Sequence, residues 1–156
     1  MLPFFEGIEG TALAQLIRTS LWLFPVIEAA HLLALCAIGG ALITVDLRLL
    51  GAGLTRTAIP DLAREARPWL MAGVAAMLAT GTLLFVSEAV KCYHNPFFRV
   101  KMSILPVALL FTFLVRQRVA RGAQGGTSMR TRVTALVSLA LWLGVAIAGR
   151  WIGFSS

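Results

Sequence analysis

Charge is what this sequence has least of. Only 13% of its 156 residues are Asp, Glu, Lys or Arg, about half the share of an average soluble domain. Acid is scarcer than base, with 7 Asp and Glu against 14 Lys and Arg, for a formal net charge of +7. So few charges cannot cover an ordinary water-facing surface, and the 58% of residues that are hydrophobic, with a mean hydropathy of +0.84, point to lipid instead. The two cysteines are too few for a disulfide framework or a zinc motif. Cys36 lies deep in an apolar run and Cys92 near a helix end, so both are read as free thiols. There is no Ser-His-Asp arrangement, phosphate loop or Gly-rich nucleotide fingerprint. No basic stretch alternates with aromatics as a nucleic-acid groove requires, and no nucleic-acid partner is expected. The first 20 residues carry Glu6 and Glu9 but no basic opening, unlike a cleaved signal peptide. The first apolar run is therefore expected to be retained.

What is present in quantity is long apolar runs, and a run of about 20 residues crosses the hydrocarbon of a bilayer. Four are expected, over residues 21–45, 69–90, 96–115 and 132–151. Together they predict a single transmembrane domain over residues 1–156, an all-α integral membrane four-helix bundle. Trp22 and Phe24 mark one interface, and Pro25 falls in a first turn, where its missing N–H does little harm. Before the first run, Leu13, Leu16 and Ile17 recur at helical spacing after Thr11, which predicts a short interfacial helix over 11–19. A plain extension of the first span fits the same residues. The longest connection, 46–68, is interrupted by Gly51, Gly53 and Pro60 and holds a short polar helix over 61–67. Gly73 and Gly81 suit close helix approach, as does the stripe Ala140, Gly144 and Ala148. Residues 122–128 read as a flexible link.

Basic residues set the orientation. The side holding 46–68 and 116–132 carries Arg48, Arg56, Arg64, Arg67, Arg116, Arg118, Arg121, Arg130 and Arg132, nine in all. The other side carries Arg18, Lys91, Arg99, Lys101 and Arg150, which is five. The arginine-rich side is therefore expected in the cytoplasm, with both termini and the 91–101 connection outside.

That topology gathers ionisable residues in the outer half. Glu28 and His31 lie about 9 and 13 Å below Trp22 at 1.5 Å per residue, and Lys101 about 7 Å below Pro96. Glu88 lies near the same surface. Such groups are costly in lipid and face a bundle interior, so Glu28, His31, Glu88 and Lys101 are expected to converge. Two readings follow. In one, Lys101 neutralises Glu28 or Glu88 and His31 bonds across helices, with no cofactor. In the other, His31 is an axial ligand of haem, and Lys101 or Arg99 pairs with a propionate. His94 is either a surface residue, a second iron ligand, or part of a copper site with Cys92.

The segments EAAHLLALCAIGGALITVDLRLLG, ATGTLLF and NPFFRVKMSILPVALLF resemble a family of small uncharacterised bacterial membrane proteins. They are more distantly similar to the membrane-bound protoporphyrinogen oxidase of bacterial haem synthesis and to the copper-resistance D family. The resemblance covers residues 22–115 and implies haem b at a first-span His and a Lys opening a later span, here His31 and Lys101. The N-terminal stretch, Glu28 and the fourth span have no match in the oxidase, so haem binding carries over ahead of porphyrinogen oxidation. The expectation is a haem-binding redox protein of the bacterial inner membrane, in which Glu28 and Glu88 tune the site or relay protons, with a redox partner or other membrane subunits. A cofactor-free scaffold or accessory subunit, and copper handling, are the alternatives.

The orientation is directly measurable. A cysteine placed at position 124 of a cysteine-free variant should react with an impermeant maleimide only after the membrane is opened. Reaction from the periplasm would reverse the topology.

Overall fold

The computed structural model describes residues 2–123 and 126–152, and all the regular structure among them is helical. Two short helices come first, α1 (Leu2–Glu9) and α2 (Ala12–Thr19). Then follow α3 (Leu23–Leu50), α4 (Ile59–Ser87), the short α5 (Ala89–His94) and α6 (Pro96–Leu110). A π-helical turn (Phe111–Arg116) continues α6 into α7 (Gln117–Gly122), and α8 (Met129–Ile152) closes the chain. Four helices are long and apolar enough to cross a membrane: Leu23–Leu50, Ile59–Ser87, Pro96–Gly122 and Met129–Ile152. Their 24 to 29 residues give lengths of about 36–44 Å, more than the roughly 30 Å of hydrocarbon. The ends of each helix therefore extend past the apolar layer. Large apolar side chains such as Leu33, Leu110, Leu136 and Leu143 point outward, as lipid-facing residues do.

The four expected runs are all present, but every one of them is longer than its apolar core. The polar stretch 61–67 is not a separate helix; it is the first two turns of α4, which continues through Pro68. Proline at that point removes one N–H bond to the residue four back, and the helix survives because the flanking turns are well formed and the site is exposed. The connection from α3 to α4 therefore shrinks to residues 51–58. It begins at Gly51, whose φ of +79° lets its own N–H and that of Ala52 close on Arg48 and Leu47 carbonyls, the glycine-terminated ending common in helices. Arg48 then holds the connection down by donating from Nε to the Thr57 carbonyl at 2.8 Å.

Two helix pairs make the bundle. α3 packs most extensively on α4, and α6 on α8, with α3 against α8 joining the pairs. At Gly73 α3 and α4 approach closely. A Cβ there would lie 2.8 Å from the Ile38 side chain and 3.3 Å from the Ala34 carbonyl, so no larger residue fits without separating the helices. The main core lies between all four helices, around Ile38, Leu42, Leu70, Met77, Ala108 and Val145. A second cluster, including Val45, Leu49, Ile59 and Ala135, fills the end toward the arginines. On α8 the packed face is Thr134, Ser138, Trp142, Val145 and Ala148. Of the expected small-residue stripe, Ala148 is buried and Gly144 half-buried against Ile104, but Ala140 faces outward. The bulky Trp142, not Ala140, occupies the seam.

The N-terminal helices fold back over the end of the bundle where α3 begins and α4 finishes. Thr11 caps α2 by accepting from the Ala14 N–H, and Ala14 and Ile17 are buried where α2 meets α4. Ser20 leaves the helical conformation (ψ 125°), so α2 is not an extension of α3. Ser20 Oγ instead accepts from Leu23 N–H at 3.2 Å and starts the new helix. The additional helix α1 packs on α5. Glu9, at its end, pairs with Arg18 and accepts the Val90 N–H at 2.9 Å. Phe5, Phe85, Tyr93 and Phe98 cover that end with edge and stacked contacts, Phe85 lying parallel to Phe98 at 5.5 Å. The expected link at 122–128 includes positions 124 and 125, which lie outside the described residues.

Candidate functional site

His31 is half-buried on α3 and faces α4. Its Nδ1 lies 2.9 Å from the Thr80 hydroxyl. That hydroxyl donates its own proton to the Ala76 carbonyl at 2.6 Å. With the single Thr80 proton spent there, Thr80 Oγ1 serves as acceptor and His31 Nδ1–H as donor. Nε2 is left carrying the lone pair. The ring sits against bare backbone at Gly81, where a Cβ would come within 3.1 Å of its Cε1. Thus three successive features of one strip of α4, a carbonyl, a hydroxyl and a glycine, fix the tautomer, orientation and position of the imidazole.

Lys101, in the second turn of α6, is within electrostatic reach of His31. Its Nζ lies 3.6 Å from where a Gly149 Cβ would be, so the ammonium packs on the thin backbone of α8. The expected pairing of Lys101 with Glu28 or Glu88 does not occur. Glu88 pairs with Lys91 at 3.5 Å, its neighbour three residues on, and Lys101 makes no ion pair among the described residues. Glu28 is exposed on the outward side of α3. Three residues along a helix amount to a rotation about 60° short of a full turn, enough to turn Glu28 outward while His31 faces α4. The four groups are therefore near the same end without forming one cluster. Arg99 is exposed in the first turn of α6.

His94 and Cys92 are not brought together. His94 is exposed and its Nδ1 bonds the Val90 carbonyl at 3.0 Å, one turn back on its own helix. Cys92 is buried. Residues two apart on a helix point to opposite sides, so the thiol and the imidazole diverge. Among the described residues no three His, Cys, Asp or Glu side chains gather to hold a metal ion.

The most completely buried polar cluster lies at the opposite end, between residues that the sequence places at the boundaries of apolar runs. Asp46 on α3 is 0% exposed and Arg116, the last residue of the π-turn, 3%. Arg116 Nε donates to Asp46 Oδ1 at 2.6 Å, and its Nη2 donates to the Leu42 carbonyl at 3.0 Å. Ser138 on α8 donates to Asp46 Oδ2 at 2.7 Å. One turn deeper, Trp142 Nε1 donates to Thr112 Oγ1 at 2.9 Å. Arg116 was expected among the cytoplasmic loop charges; it is instead inside the bundle, which leaves eight arginines on that side. Leu105, Ala108, Thr112 and Arg116 follow one another at spacings of three and four residues, which keeps all four on the inward face. The sequence does hold a signal for this pair. Asp46 ends the first apolar run and Arg116 the third, and alternate spans finish on the same side of a membrane, so opposite charges at those two ends are positioned to meet.

Residues 4–155 match the family of unknown function DUF6644. No curated protein and no solved structure matches the chain.

Two outcomes are expected from this geometry. Arg116→Met should strand the Asp46 carboxylate and lower stability by about 3–5 kcal/mol, whereas Asp46→Leu with Arg116→Met should recover most of that loss. Thermal unfolding in detergent, with elution profile as a check on folding, measures both; a double variant as unstable as the single one would contradict the account. The second outcome concerns Cys92, whose thiol is pushed up to about 11 by burial and, next, by the Glu88 carboxylate. A raised thiol pKa keeps the unreactive protonated form dominant at pH 8. In a Cys36→Ser background, alkylation by iodoacetamide should be slow at pH 8 and keep accelerating toward pH 11; a plateau near pH 9 would contradict it.

Proposed function

We propose that the chain, which belongs to the DUF6644 family of unknown function, binds haem b in the bilayer and serves electron transfer. The observation that carries this reading is the Ala76–Thr80–His31 relay, which presents a neutral imidazole with Nε2 free. Haem-ligating and other metal-ligating histidines are oriented by just such a bond to the second ring nitrogen. Lys101 adds an ammonium with no ion pair among the described residues, suited to a propionate at the water-facing edge, with Arg99 further out as the second candidate. Glu88, paired with Lys91, and Glu28 on the outward face are assigned to tuning and proton relay. Haem supplies a one-electron couple when bound. The resemblance of His31 and Lys101 to the haem-binding positions of the oxidase family supports the same reading. The setting we infer is a bacterial inner membrane, the arginine-rich end in the cytoplasm and both termini in the periplasm, with a redox partner or further membrane subunits.

A cofactor-free scaffold or accessory subunit is favoured by one specific observation. The deepest charges, Asp46 and Arg116, are satisfied within the chain, on Ser138 and a backbone carbonyl, and need no added group.

The absorption spectrum of protein purified in detergent from haem-supplemented cells decides between the two. Wild-type protein should show a Soret band, and His31→Ala should lose it while eluting as folded protein. Thr80→Val, which leaves the imidazole without its acceptor, should weaken haem retention roughly 10- to 100-fold. No Soret band in the wild type would sink the haem reading and leave the scaffold.

A further inference from the structure

We propose that a cavity between α4 and α7 binds the phosphate group of an anionic phospholipid. The cavity is about 400 Å³ and is lined by Pro60, Ala63, Arg64, Arg67 and Arg121. Arg64 and Arg67 stand in the opening turns of α4 and Arg121 in the last turn of α7, so three guanidinium groups border one space from two packed helices. Little within the chain neutralises them. Arg64 reaches Asp61 at 3.8 Å, with both side chains exposed, a contact that contributes little. Arg67 and Arg121 make no ion pair among the described residues. Two further cavities open on the same end, one bordered by Arg48 and Arg56 and the other by Arg118 and Arg130.

Three observations select a lipid phosphate. The first is depth. Trp69 is 69% exposed and follows Arg67 by two residues, and Trp settles at the boundary of the hydrocarbon. The cavity thus opens at the level of the headgroups, where α4 and α7 emerge. The second is residue type. Orientation in the membrane needs only positive charge, which Lys supplies equally well, yet every basic residue at this end is Arg and both lysines are at the other. The planar guanidinium grips phosphate oxygens in pairs, whereas an ammonium acts as a point charge. The third is the lining. Pro60 and Ala63 add apolar surface beside the guanidinium groups, and basic pockets between helices on this side of a membrane suit phospholipid headgroups.

The test uses the full chain in detergent, titrated with phosphatidylglycerol or phosphatidylcholine and followed by native mass spectrometry. Phosphatidylglycerol should bind more tightly than phosphatidylcholine. Arg67→Gln with Arg121→Gln should weaken phosphatidylglycerol roughly thirtyfold, at about a fivefold loss per basic residue, and leave phosphatidylcholine unchanged. Arg121→Gln alone, at an exposed helix end, should cost about fivefold and serves if the double variant does not fold. Arg132→Gln removes a charge from the same end but outside the cavity, and should have little effect. Equal losses from Arg121→Gln and Arg132→Gln would mean diffuse surface attraction and overturn the site. Displacement of phosphatidylglycerol by an equal concentration of inorganic phosphate would overturn the lipid as its occupant. None of these readouts involves His31 or absorbance, so this site and the haem reading stand or fall separately.

Discussion

An aspartate and an arginine buried together in an apolar bundle constrain everything around them. Neither is tolerable alone: an isolated charge in low dielectric costs several kcal/mol even after relaxation, and far from water the chain has few ways to lower that cost. Asp46 and Arg116 meet it by using each other, a serine and a carbonyl. Those four groups come from α3, the π-turn and α8, so satisfying the charges also fixes the register of three helices. The Trp142–Thr112 bond one turn deeper repeats the arrangement with neutral groups. Depth and register are thus one solution to one electrostatic problem.

The two ends of the bundle differ in kind. Toward the termini, aromatic rings from α1, α4, α5 and α6 pack on one another, and His31 and Lys101 are half-buried. Toward the α3–α4 and α7–α8 connections, guanidinium groups stand outward around open cavities. The first end is aromatic and sparing of charge; the second offers charge to what lies outside. The proposed haem and lipid sites each take the chemistry that their own end supplies.

How much of this the sequence discloses depends on whether a feature is local. Hydropathy finds all four long helices because a run of apolar residues carries its own signal. It misses their ends, since a helix leaving the bilayer continues through Arg64, Arg67 and Pro68 as readily as through leucine once its hydrogen bonds are under way. Gly73 is recognisable as a close-approach residue because small side chains in apolar helices have few other uses. Asp46 and Arg116 are misjudged because a charge at the end of an apolar run looks like a boundary, and only a partner 70 residues away reveals an interior position. Glu28 errs in the other direction. Its spacing from His31 suggests a shared face, but the 60° difference is enough to turn it outward. The Thr80 relay and Gly81 lie on α4, and nothing in the α3 sequence around His31 points to them.

The N-terminal hairpin adds an order of events. Glu9 accepts a hydrogen bond from the Val90 N–H, and α1 rests on α5, so the surface that receives the first helix is built from residues made far later. At about 5–20 residues per second, the 81 residues separating Glu9 from Val90 take roughly 4 to 16 s to synthesise. For that interval α1 emerges with its docking surface on α5 unmade, while α3 and α4 are being synthesised. The aromatic cover at that end is consequently a late closure, complete only once Tyr93 on α5 and Phe98 on α6 have been made.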